Sequence, residues 1–301
     1  MAANPASRFA TSLVITLVFV GIEATAGTFA NSLALLTDAA HNLTDVIALG
    51  LSWFAIRLTD QPSSARKTYG YHRAGILVAL INSTTLVLIA LGIFYEAWRR
   101  FLHPPQVDSV ILIVVGLVAV IVNVSTAWLV SHGSRNDLNI RSAHVHLVGD
   151  VLSTAGAVVA GVLIYFTHQN WLDALASVLI GLLILYSAWG ILRETVDILL
   201  EASPRDVDMP AMVAEIMRVH GVLGVHDLHV WSLTRSLRSM SAHVLTEDVS
   251  ISRCAEIQRR VNELLYDRYN IGHATLQLEC EKCEPDSLYH EMDGDGRRPH
   301  H

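Results

Sequence analysis

Charge is scarce in this sequence of 301 residues: Asp, Glu, Lys and Arg make up 16% of it, against roughly 25% in an average soluble domain. That shortage, at a mean hydropathy of +0.41, argues against a purely soluble protein. It also excludes disorder for most of the chain, because disorder requires low hydrophobicity and high net charge. Excess positive charge is missing too, and a net charge of −7 supplies no basic field for nucleic acid. Cysteine is nearly absent. Three residues, two of them close together at Cys280 and Cys283, cannot build a disulfide framework. No small-residue cleavage site stands apart from the first apolar run, which reads as a retained anchor and not a cleaved signal peptide. Histidine, with 15 copies, is the residue in surplus.

Six apolar runs lie at 10–30, 33–58, 74–98, 108–131, 143–167 and 171–193. Each is long enough to cross the hydrocarbon core of a lipid bilayer, which takes about 20 helical residues. Basic residues in the short loops set the expected orientation. With the N-terminus inside, the inner loops hold Arg57, Arg66, Lys67, Arg73, Arg135 and Arg141, and the outer turns hold only Arg99 and Arg100. Both termini are therefore expected on the cytoplasmic side.

After residue 203 the composition becomes mixed. Met209, Met212, Val213 and Ile216 recur at helical spacing within 204–219, and Ile257, Val261, Leu264 and Leu265 do so within 251–269. Strands are expected at 225–233, 239–245 and 274–280, with a turn at Arg235-Ser236. The expected fold is thus an α-helical membrane domain of six transmembrane helices (1–200) plus a small cytoplasmic α+β domain (204–283), ordered helix-strand-strand-helix-strand. The charged, Gly-containing segment 284–301 is expected to be a disordered tail.

An ionised side chain at the bilayer centre costs about 2.5–3.5 kcal/mol on insertion scales, yet this sequence places several there. His41 and Asp45 stand four apart in the second run, so they share one helix face. His146 and Asp150 repeat the pair in the fifth. Two imidazoles and two carboxylates converging between helices suit tetrahedral Zn²⁺, whereas Mg²⁺ and Ca²⁺ favour oxygen alone. The simpler alternative is that each pair is a local ion pair stitching helices together. Asp38, one turn before His41, is a candidate to support a ligand or to meet arriving metal. Glu23 in the first run reads either as a packed polar residue or as part of a proton path.

On these residues the chain resembles the cation diffusion facilitator family of zinc transporters. The supporting stretches are Asn31 to Asp38, Tyr69 to Ala74 and His226 to Leu233, and the resemblance covers nearly the whole chain. It implies a homodimer that exports Zn²⁺ in exchange for H⁺ by alternating access, with His41, Asp45, His146 and Asp150 as the transport site. The histidines at that site favour zinc, with Co²⁺ and Cd²⁺ as secondary substrates. Two departures stand out. Gly75 occupies a position where relatives often carry Glu, and the loop between the fourth and fifth runs holds only His132 and His144. The short loop suggests a bacterial-style member in the inner membrane.

The resemblance also matches His226, His243 and Glu279 to a cytoplasmic zinc site with a regulatory role. A tight turn near Thr234 would set His226 and His243 opposite one another on adjacent strands, and a one-residue slip would separate them. His273 is a candidate for a second zinc there or at the domain boundary. The Cys280-x-x-Cys283 pair is half a zinc site, a redox pair or two free thiols. Cys254 reads as packing. His72, with Asp60, is a candidate metal ligand between the membrane and cytoplasmic domains, and His229, of opposite parity to His226, reads as structural or exposed.

Three other classes compete with transport. A membrane metalloenzyme would need an open coordination position and a general base, and the sequence has no His-Glu-x-x-His. A passive channel has no need of four strong ligands, since tight binding slows exit. A sensor without transport has no use for carboxylates inside the membrane.

Overall fold

The computed structural model describes residues 5–131, 138–280 and 288–289, with side chains described at 14, 16–125, 149–280 and 288–289. In chain order its elements are α1 (Pro5–Phe29), α2 (Leu33–Thr59), α3 (Ala74–Leu102), α4 (Ser109–Ser131), α5 (Leu138–Thr167), α6 (Trp171–Leu199), α7 (Met209–Ile216), β1 (Val222–Ser232), β2 (Arg238–Thr246), α8 (Ile251–Tyr269) and β3 (Ile271–Glu279). They form two compact units, Met1–Arg57 with Val78–Arg193 and Leu58–Leu77 with Glu194–His301. The first is helical and membrane-spanning, and the second is a small α+β unit. The tail expected to be disordered, 284–301, lies outside the described residues apart from 288–289.

Among the described residues α2, α3, α6 and Gly149–Thr167 of α5 are long and apolar enough to cross a membrane. α1 and α4 supply the shorter apolar stretches Thr16–Phe29 and Ser109–Ser125. Large apolar side chains such as Leu88, Ile121, Phe166 and Tyr186 point outward, as a lipid solvent permits. α3 and α6 continue past the apolar runs to Leu102 and Leu199. Helix hydrogen bonding does not end where hydrocarbon does, and Glu96 pairs with both Arg99 and Arg100 along the emerging last turns of α3.

Small residues set the helix spacing, as expected where lipid removes the hydrophobic drive for helix association. A Cβ at Gly116 of α4 would meet Val158 Cγ2 of α5 at 2.7 Å, and one at Gly161 of α5 would meet Ile113 Cγ1 of α4 at 2.9 Å. Ala34, Ala157, Ala160, Ala176 and Ala188 line the buried cluster with Leu35, Leu112, Ile164, Ile180 and Ile184.

One end of the helical unit is tied by a single carboxylate. Asp173, in the first turn of α6, accepts hydrogen bonds from Ser32 Oγ (2.6 Å), Leu33 N (2.6 Å) and Ala34 N (3.3 Å). Ser32 Oγ in turn accepts from Leu35 N. The amides at the start of α2, which have no partner within their own helix, are thereby satisfied from α6. Arg100 of α3 completes the clasp, donating to Asn31 O at 2.6 Å and lying 3.7 Å from Asp173.

In the second unit α7 is shorter than the apolar spacing suggested. Asp208 caps its start through Ala211 N, and the chain before it turns at Pro204. β1 and β2 pair antiparallel with His226 opposite His243, and β2 and β3 pair parallel across α8. Ser250 caps α8, and Asn270 closes it in the left-handed conformation at φ 54. Alternation along β1 and β2 sends Leu228, Val230, Met240, Ala242 and Val244 into a core with Met212, Ile216, Ile257, Val261 and Leu265. Arg238 joins three segments, donating to Asp206 at 2.9 and 2.7 Å and to Tyr269 O at the end of α8.

Two predictions follow from these ties. Asp173→Ala strands buried donors and is expected to destabilise the helical unit by about 2 kcal/mol, read as a lower midpoint of thermal unfolding in detergent. The Arg238 guanidinium holds the Asp206 carboxyl below its usual range. A folded value depressed in this way adds stability that is fully present above about pH 4 and is lost as pH falls through the folded value. Acid unfolding of Asp206→Asn, followed by circular dichroism, should therefore show a flatter pH dependence below that point. The difference should stay under about 1 kcal/mol, because Asp206 is exposed.

Candidate metal centres

In the helical unit, α2 brings His41 and Asp45 to one face and α5 brings Asp150 against them. His41 Nε2 lies 3.2 Å from Asp150 Oδ1 and 3.7 Å from Asp45 Oδ2. Two ligands on one tetrahedral zinc with bonds near 2.1 Å stand about 3.4 Å apart, so both separations suit a shared ion. His41 is 5% exposed, and the three groups can each turn one ligand atom to a common point. The fourth expected ligand, His146, lies outside the residues whose side chains are described, as do His132 and His144. Asp38 does not join the three. Buried at 1% exposure, it accepts from Ser153 Oγ and Thr154 Oγ1 of α5 and from Asn42 Nδ2.

In the α+β unit, His226, His243 and Glu279 come from three adjacent strands and offer ligand atoms within 4.8 Å of one another. His243 Nδ1 is 2.5 Å from Glu279 Oε1, and His226 Nε2 is 3.5 Å from Glu279 Oε2. The two rings meet edge to face, with centroids 5.1 Å apart. His226 Nε2, His243 Nδ1 and Glu279 Oε2 are buried and face one another without a well-formed hydrogen bond. Leaving such atoms unpaired is costly, and a divalent cation would satisfy all three at once. Two imidazole nitrogens and one carboxylate fit zinc.

Asp227 is the residue that sequence reasoning missed. Strict alternation puts it on the opposite face from His226, but β1 bulges here. Asp227 adopts φ 49, and the register shifts between His226 and His229. The bulge sets Asp227 Oδ2 3.5 Å from His243 Nε2, with Oδ1 3.1 Å from His229 Nε2. A carboxylate on the far nitrogen of a ligating imidazole fixes its tautomer and orientation. An acidic residue directly after a candidate ligand was the available signal.

His273 is not brought to this cluster. In the parallel register His243 faces Gln277, roughly 13 Å along the strand from His273 at about 3.3 Å per residue. His273 is exposed and packs edge-on to Tyr69, with ring centroids 6.0 Å apart. Cys280 is exposed and free, Cys254 is half-buried, and Cys283 lies outside the described residues. His72 is half-buried and lines a cavity of about 530 Å³ with His229, Tyr69, Arg73, Glu201 and Trp231. Asp60 is exposed and absent from that lining.

Apolar helices enclosing a His/carboxylate cluster, joined to an α+β unit with a cluster of its own, define a multi-pass membrane protein. The chain belongs to the cation efflux family: residues 10–200 match the cation efflux transmembrane domain, and residues 204–281 match the cytoplasmic domain of cation efflux proteins. A cadmium, cobalt and zinc/H⁺-K⁺ antiporter of Bacillus subtilis is 37% identical over 273 residues, 90% of this chain and 88% of that protein. The zinc transporter ZitB of Escherichia coli is 33% identical over 301 residues, 99% of this chain and 95% of that protein. The metal-bound C-terminal domain of the CzcD transporter from Cuprividus metallidurans is 32% identical, covering 24% of this chain and 99% of that domain. Its TM-score of 0.23 gives the overlay no weight.

The orphaned donors yield a third prediction. Glu279→Gln is expected to weaken zinc binding at the β-sheet cluster by at least about tenfold, measured by competition with a chromophoric chelator on the purified full chain.

Proposed function

We propose that this protein exports Zn²⁺ in exchange for H⁺ by alternating access, with His41, Asp45, His146 and Asp150 as the transport site. The observation that carries the reading is the approach of His41, Asp45 and Asp150 at tetrahedral-edge distances inside apolar helices. The relatives support it, being named as a zinc transporter and as a zinc antiporter exchanging H⁺ and K⁺. Cadmium and cobalt in the second name make Cd²⁺ and Co²⁺ the secondary substrates.

The chemistry of the donors supplies the coupling. Imidazole and carboxylate bind zinc only when deprotonated, so metal and protons compete for the same atoms. Zinc arriving from the cytoplasm displaces protons. Once the site faces outward, protons return and expel the metal. Competition between metal and protons for the same atoms lets the site both load and release.

The wider assignment follows the same reading. The transport domain takes in residues 1–200 and the cytoplasmic domain 204–283, both termini face the cytoplasm, and the membrane is the inner one. The working unit is a homodimer. Zinc on His226, His243 and Glu279 acts as a regulatory ligand that biases the cycle with cytosolic zinc, which requires two global states of different zinc affinity. The chain has no catalytic role in this scheme.

The test is zinc uptake into proteoliposomes under an imposed pH gradient. Wild type should show gradient-driven uptake, and Asp45→Ala and Asp150→Ala should each reduce it by more than about tenfold. Uptake that persists in either variant would make the paired motifs structural and end this mechanism.

A further inference from the structure

Next to the metal ligands lies a second pair of acids. Glu23 of α1 is 0% exposed and Asp38 of α2 is 1% exposed. One amide spans them, Asn42 Nδ2 donating to Glu23 Oε2 at 3.4 Å and to Asp38 Oδ2 at 3.3 Å. The two carboxylates are served unequally. Asp38 also accepts from Ser153 Oγ and Thr154 Oγ1, each at 3.2 Å. Glu23 has the amide and a side-chain hydrogen bond with Asp38, and its Oε1 is buried with no hydrogen-bond partner.

The ionisable groups facing the pair are few. From α2 there is His41 and from α5 there is Asp150; α4 offers the neutral Asn123, which donates to Thr154 Oγ1. Among the described residues no Lys or Arg makes an ion pair with either carboxylate. The His41 imidazole is already met by Asp45 and Asp150, so the two buried carboxylates have no cation of their own and one of them keeps a proton. The better-solvated Asp38 takes the charge, and the proton sits on Glu23, which donates it to Asp38.

We propose that Glu23 and Asp38 form a proton-binding site distinct from the metal ligands, loaded when the transport site is empty and unloaded when a divalent cation arrives. The proposal rests on the exchange mechanism above and adds a proton carrier to it. A dication at His41, one helical turn from Asp38, favours the ionised pair and drives its proton off.

The link to the transport site runs through two hydroxyls. Ser153 Oγ and Thr154 Oγ1 also lie 2.9 and 2.7 Å from the backbone oxygen of Asp150. Each hydroxyl has a single proton to give, so it serves either Asp38 or the Asp150 carbonyl. A change of charge on the pair therefore reorders hydrogen bonds at the helix turn that carries a transport ligand.

The experiment counts protons. Calorimetric zinc titrations of the full chain in detergent, repeated in buffers of different ionisation enthalpy, give protons released per zinc. Glu23→Gln should still bind zinc but release about one proton fewer than wild type. Infrared difference spectra of wild type provide a measurement that needs no variant. Adding zinc should remove a protonated-carboxyl band, and labelling with ¹³C-glutamate should shift that band. A wild-type proton count in Glu23→Gln, or a wild type with no glutamate-sensitive band, overturns the pair while gradient-driven uptake leaves the exchange mechanism standing. Wild-type uptake indifferent to the pH gradient overturns both.

Discussion

Hydrocarbon offers no counter-charge and no hydrogen bond, so every ionisable group that enters it must be answered by another part of the same chain. The helical unit is arranged around that demand. His41 meets Asp45 and Asp150, Asp38 meets two hydroxyls and an amide, and Asp173 meets the amides of a helix start and Arg100. Glycines at the α4–α5 contact let the helix axes approach closely, and Asn123 of α4 can then reach Thr154 of α5. Packing here serves polarity, since apolar packing alone gains little when the solvent is itself apolar.

The β-sheet cluster obeys the same rule in a different medium. Its donors come from three strands, and their alignment is a matter of register: His226 opposite His243, and Glu279 opposite Leu245, two pairs further along the parallel ladder. The bulge at Asp227 breaks the alternation and in doing so supplies the carboxylate that holds His243 from behind. A bulge of this kind aims a side chain that regular pleating would turn away.

Much of this was legible in the residues. The apolar runs located the helices because about 20 apolar residues have few other uses, and the i, i+4 spacing placed His41 beside Asp45. Alternation and one turn were enough to oppose His226 and His243. Other features were not legible, for identifiable reasons. Asp227 reads as pointing away until its left-handed backbone is known. His273 looked close to Glu279 in sequence, but the extended strand carries it far from the cluster. Asp173 is a single acid at the start of an apolar run, and nothing local tells that its partners are Ser32 and Leu33. Long-range hydrogen bonds between helix ends leave no periodic signature.

That last contact has a consequence for how the molecule is made. The start of α2 is capped by a residue 140 positions later in the chain. During synthesis α2 is made long before Asp173, so its first amides and Ser32 must wait while three further helices are laid down. The cap closes only when α6 arrives. A chain that stops before that point therefore leaves the start of α2 without its cap.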